Sequence, residues 1–183
     1  MLEVAIVNTE DELAQIYKLN QINLKQNLSE TEKEEEGFVS WLYSMDLLKK
    51  MHQLAPSIIA KDQDKVIGYA LVTLKEASEF HHDLKTMINS LEPLQYKNKP
   101  LFSYSFYCMG QICIDKNYRG KGVVNSLYQH HKKIYQNQFD LLVTEISTNN
   151  PRSQKAHEKL GFKTIHSYHD ALDEWNVVVW DWQ

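Results

Sequence analysis

The tract from Gln111 to Phe162 constrains this chain more than any other. An apolar, β-prone run ending at Asp115 leads into a turn that carries Arg119, Gly120, Lys121 and Gly122, and a helix-forming run starts there. A second apolar strand over Leu141–Ser147, a second helix and a Gly161–Phe162 stop follow. Such a unit sets a helix N-terminus, with its unpaired backbone N–H groups, at the end of a strand, an arrangement that binds phosphate. Gly120 and Gly122 clear side chains from backbone that a ligand must approach, and Arg119 and Lys121 add positive charge. The ligand this suits carries a pyrophosphate. The turn is not a P-loop, because Gly122 rather than Ser or Thr follows Lys121 and the first P-loop glycine is missing. It is not the dinucleotide fingerprint either, since Asn125 stands where the third glycine belongs.

At 183 residues the expectation is one domain over 1–183 with an ordinary core. Hydrophobic residues at 43% and aromatics at 11% argue for a folded chain. A net charge of −4 offers no general basic surface to nucleic acid and leans toward a cationic amine as substrate. No basic segment with a long apolar run behind it suggests a signal peptide, and no stretch approaches the ~18 apolar residues of a membrane span. Cys108 and Cys113 fall on one predicted strand, about 16 Å apart and on opposite faces. They cannot bridge each other, so both are read as reduced thiols and the expected compartment is the cytoplasm.

Read in order, Leu2–Val7 is a short strand, and Thr9 with Glu12 forms a capping box for a helix to about Leu24. Ser29 starts another helix, with the acidic run Glu34–Glu36 near its N-terminus. Phe38, Trp41, Leu42, Met45, Leu48 and Met51 lie at helical spacing. That stripe is read as core, or, more sharply, Trp41 and Tyr43 help wall a substrate pocket. Ser57–Lys61 and Val66–Leu74 read as a hairpin. Glu76–Pro100 is a long connection with a short amphipathic helix, either a surface insertion or a binding loop. Phe102–Asp115 is β-prone, and Gly110 inside it suggests a bulge. A helix over about Lys121–Asn137 presents Val123, Leu127, His131 and Ile134 on one face. Asn150 and Pro151 open the next helix, Gly161 closes it, and Lys163–Tyr168 and Trp175–Trp182 are the last strands. Strands interleaved with helices give a mixed α/β (α+β) class around one central sheet.

These segments, taken together, resemble the GNAT superfamily of N-acetyltransferases. Ser57–Leu74 looks like the family's second and third strands, and Gln111–Leu127 like its signature strand, turn and helix. The family turn is Gln/Arg-x-x-Gly-x-Gly/Ala, and Arg119, Gly122 and Val124 hold those three positions. Val124 departs from the pattern: its branched side chain either crowds the cofactor or tilts into the core. Glu145–Asn150 resembles the fifth strand and the Asn after it, and Ser153, Ala156, His157 and Glu158–Phe162 the helix that follows. The resemblance implies a mostly antiparallel sheet of about seven strands flanked by helices, with a V-shaped gap between the fourth and fifth. It implies acetyl-CoA in that gap. Backbone N–H groups over Arg119, Gly120, Lys121, Gly122, Val123, Val124 and Asn125 would hold the pyrophosphate. Ile112, Cys113 and Ile114 would pair with the pantetheine arm, and Asn150, Ser153 and His157 would line it. A bulge near Gly110 would aim an N–H at the thioester carbonyl.

Acetyl transfer needs a neutral amine and gains from protonating the departing thiolate. His157 holds the position where many members carry an acid Tyr, as it does in subgroups resembling phosphinothricin-type acetyltransferases. It is read as that acid or as a packing partner of the CoA arm. Glu145 is the candidate general base, or else a structural acid. Tyr107 or Tyr104 would bind or deprotonate substrate, or pack in the core. Cys113 is read as a core thiol. His81–His82 and His130–His131 lack metal-site spacing, so no metal is expected. The expected function is direct acetyl transfer from acetyl-CoA to a primary amine, a small molecule in preference to a protein. The alternative is a CoA-binding module with little catalysis, acting as a sensor or interaction protein. Trp175–Trp182 is either the interface strand of a homodimer or a buried terminal strand.

Overall fold

The protein is described here by a computed structural model that covers residues 2–171 and 173–183, without the side chains of Glu34 and Glu35. In chain order its elements are β1 (Leu2–Ile6), α1 (Glu10–Ile22), α2 (Glu30–Glu36), α3 (Met45–Leu54), β2 (Ile58–Asp62), β3 (Lys65–Thr73), α4 (His82–Ser90), β4 (Gln95–Tyr96), β5 (Lys99–Pro100), β6 (Phe106–Ile114), α5 (Val123–Tyr135), β7 (Leu141–Ser147), α6 (Pro151–Leu160), β8 (Lys163–His169) and β9 (Glu174–Asp181). Seven strands form the main sheet in the order β1-β2-β3-β6-β7-β9-β8, and β4 pairs with β5 apart from it. Every neighbouring pair in the main sheet is antiparallel except β6 with β7, its fourth and fifth strands in chain order. This is the mixed, mostly antiparallel sheet that the resemblance implied.

Local chemistry starts the helices. Thr9 Oγ1 accepts the Glu12 N–H at 3.1 Å and the Glu12 carboxylate accepts the Thr9 N–H at 3.1 Å. Ser29 and Glu32 repeat the device on α2. Each such cap is worth about 1 kcal/mol. One face of the sheet packs Ile58, Ile67, Tyr107, Ile114 and Leu142 against Leu127 and Tyr128 of α5. The other packs Ile59, Tyr69, Leu71 and Cys113 against Ile16 of α1 and Leu48 and Met51 of α3. A third cluster, with Leu91, Leu101, Phe106, Cys108, Val143 and Val177, lies beside the Glu76–Pro100 insertion.

Several expectations change. Phe38, Trp41 and Leu42 are not helical: α2 ends at Gly37, whose φ of 74° leaves the helix, and Ser44 caps a fresh helix by accepting the Leu47 N–H. Between them the chain is extended, bridged to Leu24 through Val39, with Asn20 bonded to the Trp41 carbonyl and the Tyr43 N–H. Tertiary hydrogen bonds therefore override the helical spacing. Glu36 lies at the C-terminal end of α2, where the helix dipole disfavours it, and Arg119 and Arg152 compensate. The side chains of Glu34 and Glu35, in the same acidic run, lie outside the described residues.

The strand expected from Phe102 begins at Phe106, because Leu101–Ser103 forms a 3-10 turn. Tyr104 is thus off the strand and donates to the Tyr96 carbonyl. Register shifts against β3 between Ala70, opposite Ile112, and Val72, opposite Met109. The extra residue inverts the alternation. Cys108, opposite Thr73, and Cys113, opposite Tyr69, therefore share a face instead of opposing each other, and both are buried free thiols. On α5 the buried positions are Val123, Leu127, Tyr128, His131 and Tyr135, while Ile134 is exposed. In the Trp175–Trp182 tract β9 sits between β7 and β8, so both its edges are paired within the sheet.

Candidate active site

Phe106–Cys108 pairs with Leu141–Val143, and there the β6–β7 ladder stops. The Thr144 hydroxyl donates to the Met109 carbonyl at 2.9 Å as a last tie. Beyond it the strands part, so the ends of β6 and β7 flank an open gap. The bulge at Gly110 lies at its apex. A Cβ there would collide with Thr73 Oγ1 and come within 2.7 Å of the Tyr43 hydroxyl, which itself donates to the Gly110 carbonyl. Only glycine permits that approach.

A cavity of about 510 Å³ lies on the α5 side of the gap. Ile112, Cys113, Ile114, Arg119, Gly120, Gly122, Val123, Val124, Asn125, Asn150, Ser153 and His157 all line it; Lys121 does not, and its ammonium lies 5.4 Å from the Tyr118 ring centre. Gly120 and Gly122 have φ of 74° and 79°, and a Cβ on either would meet no protein atom within 4 Å. Gly122 is the N-cap of α5 and supplies no side chain to its first-turn amides. Uncapped amides opening into a cavity fit an anionic ligand. Val124 is half-buried and packs on the core while lining this cavity. The Arg119 guanidinium is spent on the Ile114 carbonyl, Glu36 and Asn23, at 3.0, 2.8 and 2.5 Å. It pins the turn to α2 and holds the Glu36 carboxyl below its usual range.

A second cavity of about 270 Å³ adjoins the first through Phe38, Val39, Ile112, Asn150, Ser153 and His157. Its other walls include Trp41, Tyr43, Leu84, Met87, Gly110, Gln111, Glu145 and Trp175. Glu145 Oε2 accepts the Tyr168 hydroxyl at 3.0 Å, and Oε1 is buried without a hydrogen-bond partner. Burial raises the carboxyl to about 7, against the pull of the Tyr168 bond, so the group changes charge near neutral pH.

Two of the expected residues are buried and engaged in hydrogen bonds within the fold. His157 is 2% exposed, its Nδ1 donates to the Ser153 carbonyl at 2.8 Å, and its Nε2 accepts the Tyr128 hydroxyl at 2.5 Å. Burial pushes its pKa down to about 4, so at neutral pH the ring has no proton to give a thiolate. Tyr107 lies in neither cavity. It is fully buried under α5 with its hydroxyl 2.8 Å from His131 Nδ1, because the strand's alternation turns it away from the gap. Asn150 is also committed to the protein: Oδ1 accepts the Ser153 N–H and Nδ2 donates to the Phe38 carbonyl.

Sequence reasoning passed over Arg152, Lys155 and Lys159, which line the larger cavity. Their i, i+3, i+7 spacing along α6 is a legible signal of a basic stripe. Tyr168 and Trp175 carry no such signal, since only strand pairing brings β8 and β9 beside Glu145.

No curated protein matches this chain in sequence. Solved structures match its fold. The ribosomal-protein-S18-alanine N-acetyltransferase from Escherichia coli is 11% identical with a TM-score of 0.63, over 99% of this chain and 94% of that one. The NatC complex bound to Gag peptide and CoA is 16% identical with a TM-score of 0.66, over 100% and 99%. A probable acetyltransferase from Staphylococcus epidermidis is 14% identical with a TM-score of 0.67, over 100% of both chains. The sequence profile described as the acetyltransferase (GNAT) family matches residues 14–162. With that match over most of its length, the chain belongs to the GNAT family of acetyltransferases, acyltransferases that depend on acetyl-CoA.

Proposed function

We propose that the protein, acting as one domain, transfers the acetyl group of acetyl-CoA to a primary amine by direct attack in a ternary complex. One observation carries this reading: the uncapped N-terminus of α5 opens into a cavity that shares a wall with a second cavity lined by a carboxyl poised near neutrality. Bound acetyl-CoA would supply an activated thioester. First-turn amides of α5 and the Gly120–Gly122 backbone would hold its pyrophosphate, with Arg152, Lys155 and Lys159 balancing the phosphate charge. The unpaired edge of β6 at Ile112–Ile114 offers backbone groups to an extended arm. Glu145 would take the proton of the attacking ammonium, directly or through a water. His157 orients through Tyr128 and Ser153 and shapes the shared wall. The buried reduced thiols Cys108 and Cys113 suit the cytoplasm.

Calorimetric titration with acetyl-CoA tests the cofactor half of the reading. Saturable binding that Gly122→Glu abolishes is the expected result; no binding at millimolar acetyl-CoA overturns it. A second reading, a CoA-binding module with little turnover, is favoured by the neutral state of His157. It predicts acetyl-CoA binding with no product from any amine, and Glu145→Gln would then change nothing.

A further inference from the structure

The smaller cavity is selective in its charge. Of the residues that line it, Asp83 and Glu145 are the acids, no Lys or Arg is present, and its one imidazole, His157, is held neutral. Its remaining walls are largely apolar or aromatic, with Trp41, Tyr43, Leu84, Met87, Val143 and Trp175 around the gap. Two buried polar atoms of these walls have no hydrogen-bond partner: Glu145 Oε1 and Trp175 Nε1. Glu145 and Trp175 are on neighbouring strands and share a face, with Ser147 opposite Trp175 and Glu145 two residues back. Unsatisfied groups of this kind are rare in folded proteins and call for a partner such as a water, an ion or a ligand.

We propose that the acceptor is a small primary amine with an apolar or aromatic body and no carboxylate or phosphate of its own. This rests on the acetyl-transfer reading and deepens it. An ammonium supplies what Glu145 lacks, a charged donor in a low-dielectric wall. The aromatic walls receive the body, and aromatic rings near an acid suit a cation. A carboxylate on the substrate would find two acids and no cation, which disfavours it in a desolvated site. The Trp175 N–H suits a neutral oxygen and is alone too little to hold an anion. At about 270 Å³ the cavity is below the ~300–1,000 Å³ of pockets that enclose drug-sized ligands, which fits a body of one ring or a short branched chain. Asp83, at the N-terminal end of α4 with its N–H on His81 Nδ1, sets the outer end of this acidic path.

The test pairs two probes that differ by one carboxylate, phenethylamine and phenylalanine, titrated calorimetrically into the whole protein with and without CoA. Binding is read directly, so the result stands even where acetyl-CoA titration fails and the acetyl-transfer reading falls. Phenethylamine should bind at least about 100-fold more tightly than phenylalanine. Glu145→Gln should remove that binding while the circular dichroism spectrum and acetyl-CoA affinity stay unchanged. Asp83→Arg, which puts a cation at the rim, should raise phenylalanine affinity and lower that of phenethylamine. Equal binding of the two probes, binding of neither, or tighter binding of a C-terminally amidated tetrapeptide would each overturn the proposal.

Discussion

Tyr168 reaches over β9 from β8 to donate its hydroxyl to Glu145 Oε2 on β7 at 3.0 Å. A hydrogen bond thus joins residues on non-adjacent strands, and burial brings the carboxyl to about 7. The hydrogen bond favours the ionised form, so it works against the burial.

Activity should follow that balance. For the best amine, log kcat/KM at constant amine protonation should rise with pH and level off above an apparent pKa near 7. Glu145→Gln should lose this limb and about 100- to 10,000-fold of the rate. Tyr168→Phe removes the bond that lowers the carboxyl, so its limb should move to higher pH with the plateau largely kept. An unmoved limb in Tyr168→Phe would show that the hydroxyl does not tune Glu145.

Stability runs in the opposite direction. Glu145 is raised from 4.5 to about 7 on folding, so between those values the unfolded chain binds fewer protons and stability falls as pH rises. Glu145→Gln should remove that loss. At pH 8 the variant should be more stable than the parent by up to roughly 3 kcal/mol, with little difference at pH 4.5, as read by urea denaturation.

The buried imidazoles act at the acid end. His157 is lowered to about 4 and His131 to about 3, so below the ordinary value of 6.5 the unfolded chain takes protons that the fold refuses. Stability should therefore drop as pH falls from 6.5 toward 4. Tyr128→Phe strips His157 Nε2 of its donor and should cost about 1–3 kcal/mol at pH 7.5. If His157 were the acid of the reaction, His157→Asn would abolish a descending alkaline limb; the expected profile keeps its shape.

Gly110→Ala places a methyl group against Thr73 Oγ1 and the Tyr43 hydroxyl. The neighbours are a buried strand residue and a tyrosine 2% exposed, so neither retreats easily. A loss of about 1–3 kcal/mol in thermal or urea unfolding is expected, together with weaker acetyl-CoA binding as the bulge shifts. Wild-type stability in this variant would mean that the bulge tolerates a side chain.

Gly122→Ala separates conformation from contact. Its methyl would meet no protein atom within 4 Å, yet φ is 79°. The backbone term alone costs about 1–2 kcal/mol. Acetyl-CoA affinity should fall further than stability does, because the methyl projects into the cavity that α5 opens on. Equal, small losses in both would place the cofactor elsewhere.

Features set by neighbouring residues are legible in the sequence. Thr9 with Glu12 and Ser29 with Glu32 start α1 and α2 from chemistry three residues long. Gly122, Asn150 and Gly161 mark the ends of α5 and α6 for the same reason, and Ile112–Ile114 of β6 with the turn residues other than Lys121 line the larger cavity. The helical stripe from Phe38 misleads, since Gly37 and Ser44 punctuate it and Asn20 holds its middle extended. Cysteine alternation misleads because one bulge residue inverts every face beyond it.

The chain's sequence by itself determined most of the order of strands and helices and the glycine turn, because these depend on short-range propensities and spacing, and several segments in order carried the resemblance to the family. Only the tertiary structure decided the surroundings of the titratable groups. Glu145 gained a raised pKa from its walls and a partner from β8, while His157 and Tyr107 were withdrawn into filled hydrogen bonds. Burial and long-range pairing set proton affinity, and neither is written in the residues next to the one that titrates.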